Sequence, residues 1–129
     1  MYKLKAMAFS LQVDNEKKRL YSRAIGRVTY EDLRQHMNTD VGPIVASYPE
    51  ICDCSDVTTD LNTGQVRMLA AMRAQIAATQ TAPPVAIIAT TNVFFGMMRM
   101  FDTLTSQVRP IKVFRDVRSA EDWIDSLSS

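Results

Sequence analysis

Few side chains in this sequence combine a chemically useful type with close spacing. Its two cysteines, Cys52 and Cys54, flank Asp53 in the β-prone run Ile51-Cys52-Asp53-Cys54. In an extended strand they fall on one face with Cα atoms about 6.5 to 7 Å apart, a strained separation for a disulfide. Both are therefore expected to be reduced. A metal centre needs about four ligands and the chain has one histidine, His36, so the thiols read as buried and structural, and no metal is expected. His36 reads as a partly exposed helical residue beside an apolar stripe, with catalysis as the competing role. Asp53, an acid inside an apolar strand, reads as an acceptor for nearby amides or an arginine, with general base as the competing role. There is no Ser/His/Asp set, phosphate-binding glycine loop or paired-carboxylate signature. The expectation is a protein that is not an enzyme and carries no cofactor.

Two polar turns are the other candidates. Asn62-Thr63-Gly64 opens a helix whose free amides and positive dipole end suit a small anion, with Arg67 three residues past Gly64 and Thr58 and Thr59 just before. Thr90-Thr91-Asn92 repeats that chemistry at the start of the next helix. The competing reading is that these residues only cap their helices. If the strands are parallel, both turns lie at carboxyl ends, where open α/β sheets place ligands. Arg99, beside Met100-Phe101, must reach solvent, a carboxylate or a ligand.

Composition bounds the rest. A chain of 129 residues with 47% hydrophobic and 22% charged residues fits one globular domain and excludes a mainly disordered chain. Fifteen basic and 14 acidic residues leave a net charge of +1, so no field of one sign draws it to nucleic acid. No apolar run approaches the roughly 20 residues of a membrane span, and Met1-Tyr2-Lys3-Leu4-Lys5 does not begin a signal peptide, so a cytoplasmic protein is expected.

The elements that position these residues follow from periodicity and caps. Ala6 to Val13 alternates, with Met7, Phe9, Leu11 and Val13 on one face, and pairs with Arg19 to Val28 as a hairpin. Thr29-Tyr30-Glu31-Asp32 starts a helix with the stripe Tyr30, Leu33, Met37 and Val41, ended or kinked at Gly42-Pro43. Ile51 to Ser55 is a strand. Val66, Leu69, Met72 and Ile76 make the core stripe of the following alanine-rich helix. Pro84 to Ala89 is a further strand. The spacing then predicts a helix from about Val93 to Val108 that buries Val93, Met97, Phe101, Leu104 and Val108, leaving Phe94, Phe95, Met98 and Met100 to widen the stripe, either through burial on a second side within the chain or as an exposed patch for a partner or ligand. A strand at Ile111 to Phe114 and a helix capped at Ser119-Ala120-Glu121-Asp122 close the chain, and Ser128-Ser129 should fray. The order is ββαβαβαβα, a mixed and mostly parallel sheet flanked by helices.

Three stretches in that order carry a family resemblance: Asp53-Cys54-Ser55-Asp56-Val57, Phe95-Gly96-x-x-Arg99-Met100-Phe101, and Val113-Phe114-Arg115-Asp116 with Ala120-x-x-Trp123-Ile124. Together they resemble the SpoIIAA-like branch of the STAS domains (sulfate transporter and anti-sigma-factor antagonist), over nearly the whole chain. The resemblance implies a stand-alone bacterial regulatory module. In its signalling members a serine at the helix start after this strand is phosphorylated by a partner kinase. Aligning Gly64 with the glycine of the family's Asp-Ser-Ser-Gly turn puts Asn62 at the phosphorylated serine, where no phosphate can be carried, and Thr63 at the second serine; the competing readings are that Thr63 substitutes as the acceptor or that the turn is a residue longer. The leading expectation is thus a non-enzymatic regulatory or protein-interaction module without the ordinary switch, contacting an unidentified protein partner through residues 58 to 64. The alternative is a carrier of a small apolar ligand or lipid with a pocket similar to SEC14, lined by Phe95, Met98 and their neighbours. Homodimerisation is expected from the broad apolar helix and the free edge of the hairpin.

Overall fold

The computed structural model describes residues 8–80, 82–106 and 110–127. Two strands, β1 (Phe9–Asp14) and β2 (Arg19–Ala24), form the hairpin, followed by α1 (Tyr30–Met37), a 3-10 turn at Val45–Ser47, β3 (Glu50–Cys54), α2 (Thr63–Thr79), β4 (Val85–Ala89), α3 (Asn92–Thr105), β5 (Ile111–Phe114) and α4 (Val117–Leu127). The predicted order of elements holds. Met7, Val108 and Ser128-Ser129 lie outside the described residues.

The strands lie in sequence order, β1-β2-β3-β4-β5, with the first pair antiparallel and the rest parallel. Chain connectivity imposes this pattern, because a short turn can reverse the chain only between antiparallel neighbours, whereas parallel neighbours need a helical crossover. The main core lies on the face covered by α1, α2 and α3, where Leu33, Leu69 and Phe94 pack on β3 and β4 side chains. On the other face α4 packs Ala120 and Ile124 on Ile51, Ala86 and Ile88. Arg19 holds α4 there, with its buried guanidinium 2.6 Å from Glu121 and 2.7 Å from Asp125.

Register decides what meets on the helical face. Leu20, Glu50, Val85 and Ile111 form one cross-strand row at the amino ends of the parallel strands, and Ser22, Cys52, Ile87 and Val113 form the next. Side chains two apart share a face of a strand, so Cys54 continues the series begun by Glu50 and Cys52.

Three predicted features are corrected. Helix α1 ends at Met37, well before Gly42-Pro43, because the side chains of Asn38 and Thr39 take the carbonyls of Arg34 and Gln35 at 2.9 and 2.8 Å. Gly42, at φ +85°, instead turns the connection that follows. Helix α4 begins at Val117, since Asp116 accepts from the Ser119 amide at 2.8 Å and caps it three residues earlier than expected. Helix α3 buries Phe94, Met98, Phe101 and Thr105, while Val93 and Leu104 are 60% and 46% exposed. Two apolar stripes overlap on that helix, and packing on the sheet selects a face that joins Phe94 and Met98 of the surplus to Phe101 of the expected core stripe.

Candidate functional site

The site is built on the row at the amino ends of the parallel strands. Leu20, Glu50, Val85 and Ile111 form a floor, the ends of α1 and α2 supply His36, Met37, Arg73 and Ile76, α3 supplies Phe94, Met98 and Phe101, and the segment after α1 supplies Val41, Val45 and Tyr48. Together they enclose a half-open cavity of about 180 Å³. Its walls are mainly aliphatic and aromatic but also bear Thr39, Arg73 and Gln80, and three further side chains, His36, Glu50 and Cys52, meet at one polar spot.

Glu50 is the centre of that spot. Its Oε2 lies 2.7 Å from His36 Nε2 and also accepts from the Ser22 hydroxyl. The His36 ring stacks on Phe9 with centroids 4.1 Å apart and planes 14° off parallel, which fixes its orientation. His36, Glu50 and Cys52 each offer a ligating atom, and these atoms lie within 4.8 Å of one another. The Cys52 and Cys54 sulfurs converge to 3.6 Å, and both residues are buried free cysteines. Arg73 donates from Nη2 to the Pro83 carbonyl at 3.0 Å, at the edge of the cavity.

Electrostatics follow from this packing. Burial works to lower the His36 pKa, but hydrogen bonding to Cys52 and Glu50 and the Glu50 charge outweigh it and push the ring up to about 10. Burial works to raise Glu50, but His36, the Ser22 hydroxyl and the Arg73 charge hold it below the usual carboxylate value. The two therefore form an ion pair at neutral pH. The Cys54 hydrogen bond, with burial, raises the Cys52 thiol well above its ordinary value, so it stays protonated and is a poor nucleophile. The arrangement offers a charged, hydrogen-bonding pair on the floor of a mainly apolar space.

The predicted site residues lie elsewhere, with one exception. Met98 lines the cavity, buried within the chain rather than displayed to a partner. Asn62 and Gln65 form a reciprocal cap on α2, and Thr63 is its first helical residue. The Thr59 hydroxyl donates to the Val28 carbonyl and Thr91 to that of Val57, each at 2.7 Å. Thr58 exchanges backbone hydrogen bonds with Gly26 and Val28. The Thr90 hydroxyl accepts from the Asp56 amide at 2.7 Å. Gly64, Arg67 and Asn92 are exposed at these helix starts. Arg115 lies over the Phe95 ring at 3.8 Å from its centroid, and Arg99 approaches the same ring at 5.9 Å. Asp53 faces away from the cavity residues of its strand and accepts from the Ser55 amide and hydroxyl, the structural role expected of it.

Sequence reasoning missed Glu50, Ser22 and Arg73, and it set His36 apart from the cysteines. A signal existed: Glu50, Cys52 and Cys54 alternate at i, i+2 and i+4, which puts all three on one face of a strand. No comparable signal along the chain brings His36 to that face.

No protein-family model matches the chain, and neither does any curated protein sequence. Among solved structures, it is similar to a protein from the DUF3478 family of Shewanella loihica PV-4 described as having a SpoIIAA-like fold. The TM-score is 0.55 and the identity 16%, over 96% of this chain and 99% of that one. No helix among the described residues is long and apolar enough to cross a membrane. At that identity the likeness speaks to architecture alone, and the architecture of this chain is the SpoIIAA-like, STAS-type α/β fold.

Proposed function

We propose that this protein binds a small, mainly apolar molecule bearing one polar group, without chemically transforming it, in the cavity between α1, α2, α3 and the sheet. The observation that carries the reading is the His36–Glu50 pair on the wall of a mainly apolar space. Size limits the ligand. A volume of about 180 Å³ is close to the roughly 150 Å³ engineered cavity that holds benzene, and below the ~300 Å³ at which drug-sized sites begin. A short acyl chain or a substituted ring fits; a whole long-chain lipid does not. The raised Cys52 thiol favours binding over nucleophilic catalysis. Two reduced thiols suit a cytoplasmic setting.

Native mass spectrometry of gently purified protein, with thermal shifts from octanoate, phenylacetate and phenol, tests this. The expected result is a small-molecule adduct or a saturable stabilisation that Ala46→Phe, which adds a ring at a residue lining the cavity, removes. Wild-type protein showing neither adduct nor shift would sink the reading.

A regulatory protein-interaction role, with a homodimer as one form of it, is the second reading. The SpoIIAA-like fold and the exposed turn carrying Asn62 and Arg67 favour it. It predicts that Asn62→Ala with Arg67→Ala weakens partner capture from the native cell while leaving the fold intact. Identical captures would end it.

A further inference from the structure

The cluster at the floor of the cavity contains one nitrogen donor from α1 and one oxygen and one sulfur donor from β3, in a largely buried place where unpaired polar groups are costly. We propose that His36, Glu50 and Cys52 bind a borderline divalent transition-metal ion such as Zn2+, through an imidazole nitrogen, a carboxylate oxygen and a thiolate, with the fourth position left to water or a cavity ligand.

Distance is the first argument. Donors about 2.0 to 2.3 Å from a four-coordinate ion lie roughly 3.3 to 3.8 Å from one another. The three donors here lie within 4.8 Å of one another, with His36 Nε2 and Glu50 Oε2 now sharing a hydrogen bond at 2.7 Å. A small rotation of each side chain admits the ion. The mixed donor set suits Zn2+ better than Mg2+ or Ca2+, which take oxygen ligands.

The surroundings are the second argument. Ser22 donates to Glu50 Oε2, and the Phe9 ring fixes the imidazole plane, the kind of outer support that orients metal ligands. Cys54 lies 3.6 Å from Cys52, its sulfur adjoining the ligating sulfur. A disulfide between the two would need about 2.05 Å and strained strand geometry, so the convergent thiols fit hydrogen bonding and ligation better than oxidation. The charges also balance: as the ion enters, the thiol proton and the ring proton shared with Glu50 leave to solvent, and no electron is transferred.

Titration of reduced, chelator-treated full-length protein with Co2+ tests the site. One equivalent should give thiolate-to-cobalt absorption in the near ultraviolet and the visible bands of a four-coordinate ion. Cys52→Ser should lose the ultraviolet band, His36→Gln and Glu50→Gln should weaken binding by at least about tenfold, and Cys54→Ser should keep one equivalent. Folded wild-type protein without the band overturns the proposal, as does a band that survives Cys52→Ser. If Cys52→Ser does not fold, unchanged Zn2+ affinity of folded His36→Gln, read by competition with a chromophoric chelator, overturns it equally. The inference stands on these side chains and not on what fills the cavity, so cobalt binding without small-molecule capture keeps it, and capture without cobalt binding ends it.

Discussion

The two ends of the parallel strands use polar residues in opposite ways. At the carboxyl ends, the turns after β3 and β4 are rich in Thr, Asn and Asp, and those side chains are largely taken up in holding the chain together: Asn62 caps α2, Thr59 and Thr91 each bind a distant carbonyl, and Thr90 holds the Asp56 amide. At the amino ends fewer polar residues are present, but His36, Glu50 and Cys52 converge at the floor of a cavity. Density of polar residues along the chain therefore marks where backbone must be satisfied. Convergence of polar side chains in an apolar space marks where a ligand can be held.

The largest effect should come from breaking the pair at the amino end. His36→Ala leaves the Glu50 carboxylate buried beside Ser22 without its cation, and should destabilise the protein by about 3 to 5 kcal/mol in urea unfolding. A loss under 1 kcal/mol would mean that the cavity floor is wet and open, and the contrast between the two ends would weaken.

Next is α3, where Met98→Ala should cost about 2 to 5 kcal/mol and Val93→Ala no more than about 0.5 kcal/mol in the same assay. Equal costs would show that the helix does not commit one face to the sheet.

The ion pair also predicts a pH profile. The folded-state pKa of His36 is raised from 6.5 to about 10, so the stability it contributes is complete below pH 6.5 and is lost as pH rises toward 10. Glu50 is lowered from 4.5, so its contribution is present above that value and is lost as pH falls through its folded pKa. Urea midpoints should therefore be highest between pH 4.5 and 6.5, and His36→Gln should flatten the decline above pH 6.5. A decline of equal slope in the variant would assign it to other groups.

The smallest effects belong to the carboxyl end. Asn62→Ala removes one helix cap and should cost about 1 kcal/mol, while Arg67→Ala, on the exposed face of α2, should stay within about 0.5 kcal/mol. Were Arg67→Ala to abolish small-molecule binding, the site would have to be moved to this end of the sheet.

By itself the sequence determined what depends on neighbours along the chain. The order of elements, the hairpin, the caps at Thr29 with Asp32 and at Asn62, and the structural use of Asp53 all follow from contacts within a few residues, which periodicity and side-chain type report. Helix ends were less legible, because Asn38 and Asp116 close their helices with hydrogen bonds that competing cap residues nearby would make equally well. Tertiary structure alone decided the face that α3 buries, since two overlapping apolar stripes have the same period and only packing against the sheet distinguishes them. It also decided the site. Glu50 and Cys52 share a face by strand geometry, but Ser22 joins them through sheet register, and His36 through the return of the chain from α1 to β3. Such contacts between separate elements leave no periodic trace, because the register and the crossover that create them are set by the collapse of the whole core.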